Sequence, residues 1–175
     1  MDLLDFEVGQ LYFDEPIDRA AKVAIEEAAE LYGKARAEQL LLRAYFLEPE
    51  HPLVLVALYR YFYYQHRYDD AMRVAERVLR LFAKRLGFPE DWQELDRPRF
   101  ENGVLVSMTM LRFYMLALKG AAYLELRLGL YDSALQRLEK LIELDDKDRL
   151  GAGALIDVAR DSLGMPAQAK KVARA

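Results

Sequence analysis

An all-helical chain of antiparallel helix hairpins is what this sequence predicts, and three observations predict it. Apolar residues recur at helical spacing through most of the 175 residues, while the strict alternation that marks strands is almost absent. The stretch Tyr68-Asp69-Asp70-Ala71-Met72-Arg73-Val74-Ala75-Glu76-Arg77-Val78-Leu79-Arg80-Leu81 recurs as Tyr131-Asp132-Ser133-Ala134-Leu135-Gln136-Arg137-Leu138-Glu139-Lys140-Leu141-Ile142-Glu143-Leu144. Ala37 and Ala71 stand 34 residues apart, and the same offset carries Leu41 to Ala75, Ala44 to Val78 and Tyr45 to Leu79. A repeated helical unit cannot bury its apolar face alone, so neighbours stack into an α-solenoid, here of about seven to eight helices, and stacking leaves an extended groove.

The elements follow in chain order. Residues 1–15 form an apolar and acidic segment, with Leu3, Leu4, Phe6, Val8, Leu11, Tyr12 and Phe13 interleaved with Asp2, Asp5 and Glu7; so apolar a run is expected to pack on the first hairpin or in a groove. The first repeat, 16–49, opens with Asp14 as cap and Pro16 in the first turn, carries Ala20, Ala21, Ala24, Ile25, Ala28 and Leu31 at helical spacing, and stops at Gly33. Its second helix runs from about Ala35 to Leu47. In the second repeat, 52–86, Pro52 opens a helix to about Gln65, and Asp69 caps another that ends near Gly87. Two prolines, Pro89 and Pro98, mark 87–102 as an insertion, expected to be an ordered flap because its Trp92 would lose apolar contact if left in solvent. The third repeat, 103–146, pairs a long helix, Val104 to Leu128, with one from Asp132 to Asp145. A partial C-terminal repeat, 148–175, holds a helix from Arg149 to Leu163 and a short last one begun by Pro166.

In the second repeat Leu55, Leu58, Tyr59, Phe62, Ala71 and Ala75 occupy the places of a large residue, Leu, a small residue, an aromatic and two further apolar positions. The pattern resembles the tetratricopeptide repeat in degenerate form: Leu55 replaces the Trp, Tyr59 the small residue, and Ala83 the closing Pro. That resemblance implies a right-handed solenoid of hairpins whose first helices line a concave, partner-binding face. Segments 59–66 and 118–128 are also similar in texture to small repeat proteins that accompany bacterial nitrogen-fixation gene sets, and Leu81-Phe82-Ala83-Lys84-Arg85-Leu86-Gly87 with Pro89 and Glu90 resembles the helical activation domain of certain bacterial transcription regulators.

Composition narrows the function. The chain is 53% hydrophobic, enough for one sizeable core and a single domain. It has no cysteine, which excludes disulfides and thiolate metal sites and makes a reduced cytoplasm the expected home. Neither a basic secretory start nor an apolar run of about 20 residues is present, so no membrane association is expected. Net charge is −4, with twelve acids against five bases in residues 1–50, which argues against nucleic-acid binding. Enzyme chemistry is not expected either, and no cofactor is. His51 lies between two prolines and His66 at a helix end, both read as exposed; Glu48 and His51 lack the helix that metal-ligating spacing needs, and Glu26, Glu27 and Glu30 lack a histidine.

A binding surface is therefore sought on helical geometry. With Leu55, Leu58, Tyr59 and Phe62 as the packing stripe of the third helix, Leu53, Val56, Arg60, Tyr63 and Tyr64 form the adjacent stripe, rich in the aromatics and Arg that dominate protein interfaces. Arg112 and Tyr114, with Phe113 and Met115, are candidates for the opposite wall, the alternative being that Phe113 and Met115 are core. Arg73, Arg77, Arg80 and Lys84 share one helix face and form a second candidate, for an acidic partner, unless the face is solvated with pairing such as Asp69 to Arg73. The function expected is that of an adaptor or assembly chaperone holding a protein or peptide segment. The alternatives are a self-associating structural module, with a homodimer across the groove, and a regulatory domain.

Overall fold

The computed structural model describes residues 15–165, and these are helical throughout, with eight α-helices and no strand. Helices α1 (Arg19–Glu30), α2 (Ala35–Leu47), α3 (Pro52–Tyr64) and α4 (Tyr68–Leu86) are followed by a 3₁₀ turn at Trp92–Glu94. Then come α5 (Arg97–Val106), α6 (Met108–Leu128), α7 (Tyr131–Leu144) and α8 (Ala152–Ser162). Each long helix packs on its chain neighbour, except that α4 packs on α6 across the intervening α5. The pairs run back along one another. The Asp18 amide at the start of α1 donates to the Glu48 carboxylate at the end of α2, and Arg85 at the end of α4 reaches Glu15, whose carbonyl meets His51 at the start of α3.

One core runs through α1 to α8. Ala37 and Ala71 are both fully buried, as are Ala44, Ala75 and Val78, so the small residues of the 34-residue offset sit where helices approach closely. Leu55, Leu58, Tyr59 and Phe62 are buried on α3, and the Tyr59 hydroxyl donates to the Gly120 carbonyl of α6.

Several boundaries differ from the sequence expectation. The cap of α1 is Asp18, whose carboxylate accepts from the amides of Ala20 and Ala21, and Pro16 precedes the helix; Asp14, the expected cap, lies outside the described residues, as do the rest of 1–14 and the Pro166 helix. Asp69 falls inside the first turn of α4, where its charge suits the helix dipole, while Arg67 holds the cap position. Gly87 ends α4 in the left-handed conformation, at φ 70°. The single long helix expected over 104–128 is two. Ser107 is extended and its hydroxyl accepts from the Met110 amide, capping α6 and ending α5. Accordingly most of α5 falls within the insertion, started by Asp96 as cap with Pro98 in the first turn. No helix among the described residues is long and apolar enough to cross a membrane.

The insertion is packed. Phe88 is buried edge-on against Tyr114 at 5.3 Å, Leu95 is fully buried, and Lys140 donates to the Leu95 carbonyl. Trp92 lies over the Arg137 guanidinium at 4.9 Å. Arg137 itself is buried and ion-paired to Glu125 (2.9 Å) and Glu76, so α4, α6 and α7 are tied at one charged point.

Candidate functional site

Helices α1 and α3 lie side by side in the same direction, and between them is an apolar cavity of about 290 Å³. Ile17 and Leu53 close one end; Tyr32, Tyr61 and Tyr64 form the other, with Tyr32 edge-on to Tyr61 at 6.2 Å and to Tyr64 at 6.3 Å. Burial raises the Tyr32 and Tyr61 phenols above the ordinary value of 10, so both are neutral hydrogen-bonding groups at physiological pH. The helix α3 is built to present this wall. Its cap is His51, which the sequence reading left exposed: the imidazole is buried because its Nδ1 accepts from the Leu53 amide while its Nε2 meets the Glu15 carbonyl at 3.2 Å.

Four of the five stripe residues, Leu53, Val56, Arg60 and Tyr64, line this cavity. Tyr63 does not. One residue is about 100° of helix turn, so Tyr63 faces α6 where Tyr64 faces α1. Its hydroxyl donates to that of Tyr123 at 3.3 Å, its ring stacks on Tyr59, and burial followed by the Tyr123 hydrogen bond pushes its phenol well up. The candidate opposite wall is not part of the cavity, and Phe113 and Met115 are buried in the core, as the alternative reading had it. Tyr114 is buried against Phe88 and Arg112 is exposed on the same helix, but neither lines the cavity, whose second wall is α1, through Lys22, Ile25, Glu26 and Ala29. These four positions, spaced i, i+3, i+4 and i+7, flank the buried Ala21, Ala24 and Ala28, and of the four only Ile25 belongs to the apolar spacing read from the sequence.

The basic face of α4 is not a uniform patch. Arg77 is half-buried, donating to the Pro49 carbonyl at 3.3 Å beneath the Tyr45 ring, which fastens α4 to the turn before α3. Arg73, Arg80 and Lys84 are exposed; Arg73 pairs with Asp70 at 3.5 Å instead of with Asp69. Among the described residues no group of three or more His, Cys, Asp or Glu side chains is placed to hold a metal ion.

A helical protein with an apolar, tyrosine-ended cavity between two parallel helices is the class these features define. The chain is 46% identical over 159 residues, 90% of its length and 88% of the relative's, to an uncharacterized 19.8 kDa protein in the nifW 5′ region of Azotobacter chroococcum mcd 1, and it belongs to the family of that protein. No protein-family model matches the chain. No solved structure matches it.

Proposed function

We propose that this chain is a protein-binding module, a degenerate tetratricopeptide-like right-handed solenoid that works as an adaptor or assembly chaperone by holding a partner segment between α1 and α3. The observation that carries the reading is the cavity, apolar along its length and bounded by tyrosines and Arg60, the residue types that make interface hot spots. The fully buried Ala37 and Ala71, 34 residues apart, support the repeat assignment. On this reading the partner is a protein or peptide, the chain catalyses nothing itself, and it works in the cytoplasm. A relative in a nifW 5′ region supports a second, narrower version, an accessory protein of a nitrogen-fixation system.

Affinity capture from cells of the native organism tests the proposal when wild type is compared with Tyr64→Ala and Leu53→Asp. A partner held in the cavity is expected to be lost or weakened about thirtyfold, corresponding to a hot spot of about 2 kcal/mol. Equal capture by all three chains sinks the groove assignment and turns attention to Arg73, Arg80 and Lys84.

A further inference from the structure

We propose that the exposed faces of α2 and α4 together form a second partner surface, which takes an acidic, amphipathic helix of another protein. The surface is separate from the α1–α3 cavity, which none of its residues lines. Helices α2 and α4 run side by side in the same direction. Glu38 in the first turn of α2 pairs with Arg67 at the start of α4 at 2.7 Å. Further along both helices, Tyr45 lies 5.6 Å beneath the Arg77 guanidinium, which also donates to the Pro49 carbonyl. On the α2 side of this pair, Leu42 and Phe46 stand one turn apart and exposed, Phe46 to 87%. On the α4 side, Arg73, Arg80 and Lys84 are exposed on one face, spaced i, i+7 and i+11 over about 17 Å.

Charge fixes the kind of partner. The chain carries a net charge of −4, yet this face is basic because the acids of α4 are engaged elsewhere: Glu76 pairs with the buried Arg137, and Asp70 with Arg67 and Arg73. Asp69 is the one α4 acid without an ion pair among the described residues, and it lies at the helix start, away from Arg80 and Lys84. Those two cations make no ion pair among the described residues either. Covering Phe46 and Leu42 removes apolar surface from water, so a partner with apolar side chains is favoured over one that offers charge alone. A helix with apolar residues at i and i+4 along one edge and Asp or Glu along the other answers both rows, and about three turns of it match the basic row. A nucleic acid supplies the charge without the apolar edge, and the net negative charge of the chain opposes it.

Fluorescence anisotropy on the full-length protein tests the proposal with a labelled synthetic helix of about 16 residues, built from Glu and Ala with leucines at i and i+4. The same peptide with Lys for Glu, and a short DNA duplex, are the competing probes. The expected result is binding of the Glu peptide that falls with added salt and weakens about tenfold in Phe46→Ala and in Arg80→Glu. Both positions are exposed, so the melting curves of these variants are expected to match wild type. Failure of the Glu peptide to bind, equal binding of the Lys peptide, or unchanged affinity in either variant overturns the proposal. Tighter binding of the duplex overturns it in favour of a nucleic acid. Tyr64→Ala is expected to bind the Glu peptide as wild type does; a loss there instead puts the peptide in the α1–α3 cavity, which overturns this surface while leaving the cavity reading intact.

Discussion

At Gly103 the lack of a side chain is a packing requirement: a Cβ there would lie 2.7 Å from Cε1 of Phe88, whose ring is wedged against Tyr114. Gly103→Ala is expected to destabilise the fold by about 1–3 kcal/mol, read as a shift in the urea midpoint. Arg137 presents the opposite situation, a charge that must stay. Its removal leaves Glu125, only 4% exposed, without its cation, and Arg137→Ala is expected to cost about 3–5 kcal/mol. The same variant strips the cation from beneath Trp92, so the emission of this single tryptophan is expected to shift to the red in the folded protein. Tyr114 gives the chain an alkaline limit. Burial holds its phenol well above 10 in the folded state, whereas the unfolded phenol ionises near 10. Above that pH the unfolded state therefore sheds the proton first, and stability is lost as pH rises, by up to about 1.4 kcal/mol per pH unit for one such group. Tyr114→Phe is expected to flatten the fall in urea midpoint between pH 9 and pH 11, and an unchanged slope would assign the decline to other groups.

The helices whose ends carry punctuation were legible, and those ended by tertiary events were not. Pro52 and Gly87 mark the start of α3 and the end of α4 through φ restriction and left-handed geometry, and α2 was bounded to the residue. The break at Ser107 was missed because a serine between apolar residues looks like any exposed helix position until its hydroxyl is seen capping Met110. Ser107→Ala is expected to cost about 1 kcal/mol, and a comparable loss is expected for Asp96→Ala at the start of α5. Helix α5 also lacks a single apolar stripe: Leu105 is 85% exposed, so no period announces it. In the candidate site, helical geometry alone was enough to group Leu53, Val56, Arg60 and Tyr64 on α3. That α1, and not α6, forms the facing wall depends on which helices lie beside α3, which no local pattern encodes. His51 escaped for a related reason, since its burial is completed by Glu15, 36 residues away.

For the molecule as a whole, Phe62 and Tyr64 separate stability from the proposed recognition on one helix. Phe62, 7% exposed, belongs to the core, and Phe62→Ala is expected to cost about 3–5 kcal/mol with partner contacts untouched. Tyr64, 54% exposed, is expected to change the melting temperature little when cut to Ala while weakening capture. A Tyr64→Ala chain that melts early would move this residue from the groove to the core. The order of helix packing has a kinetic consequence. Because most contact is between helices adjacent in the chain, little loop-closure entropy opposes their formation, and hairpins α1–α2, α3–α4 and α6–α7 are free to form independently. The one long step is the docking of α4 on α6 around the insertion, where Phe82 meets Phe113 at 4.7 Å. Stopped-flow refolding is expected within milliseconds, with Phe82→Leu slowing it more than Ala28→Gly in the first hairpin. The overall refolding time is then set where α4 docks on α6, and not at the α1–α3 cavity.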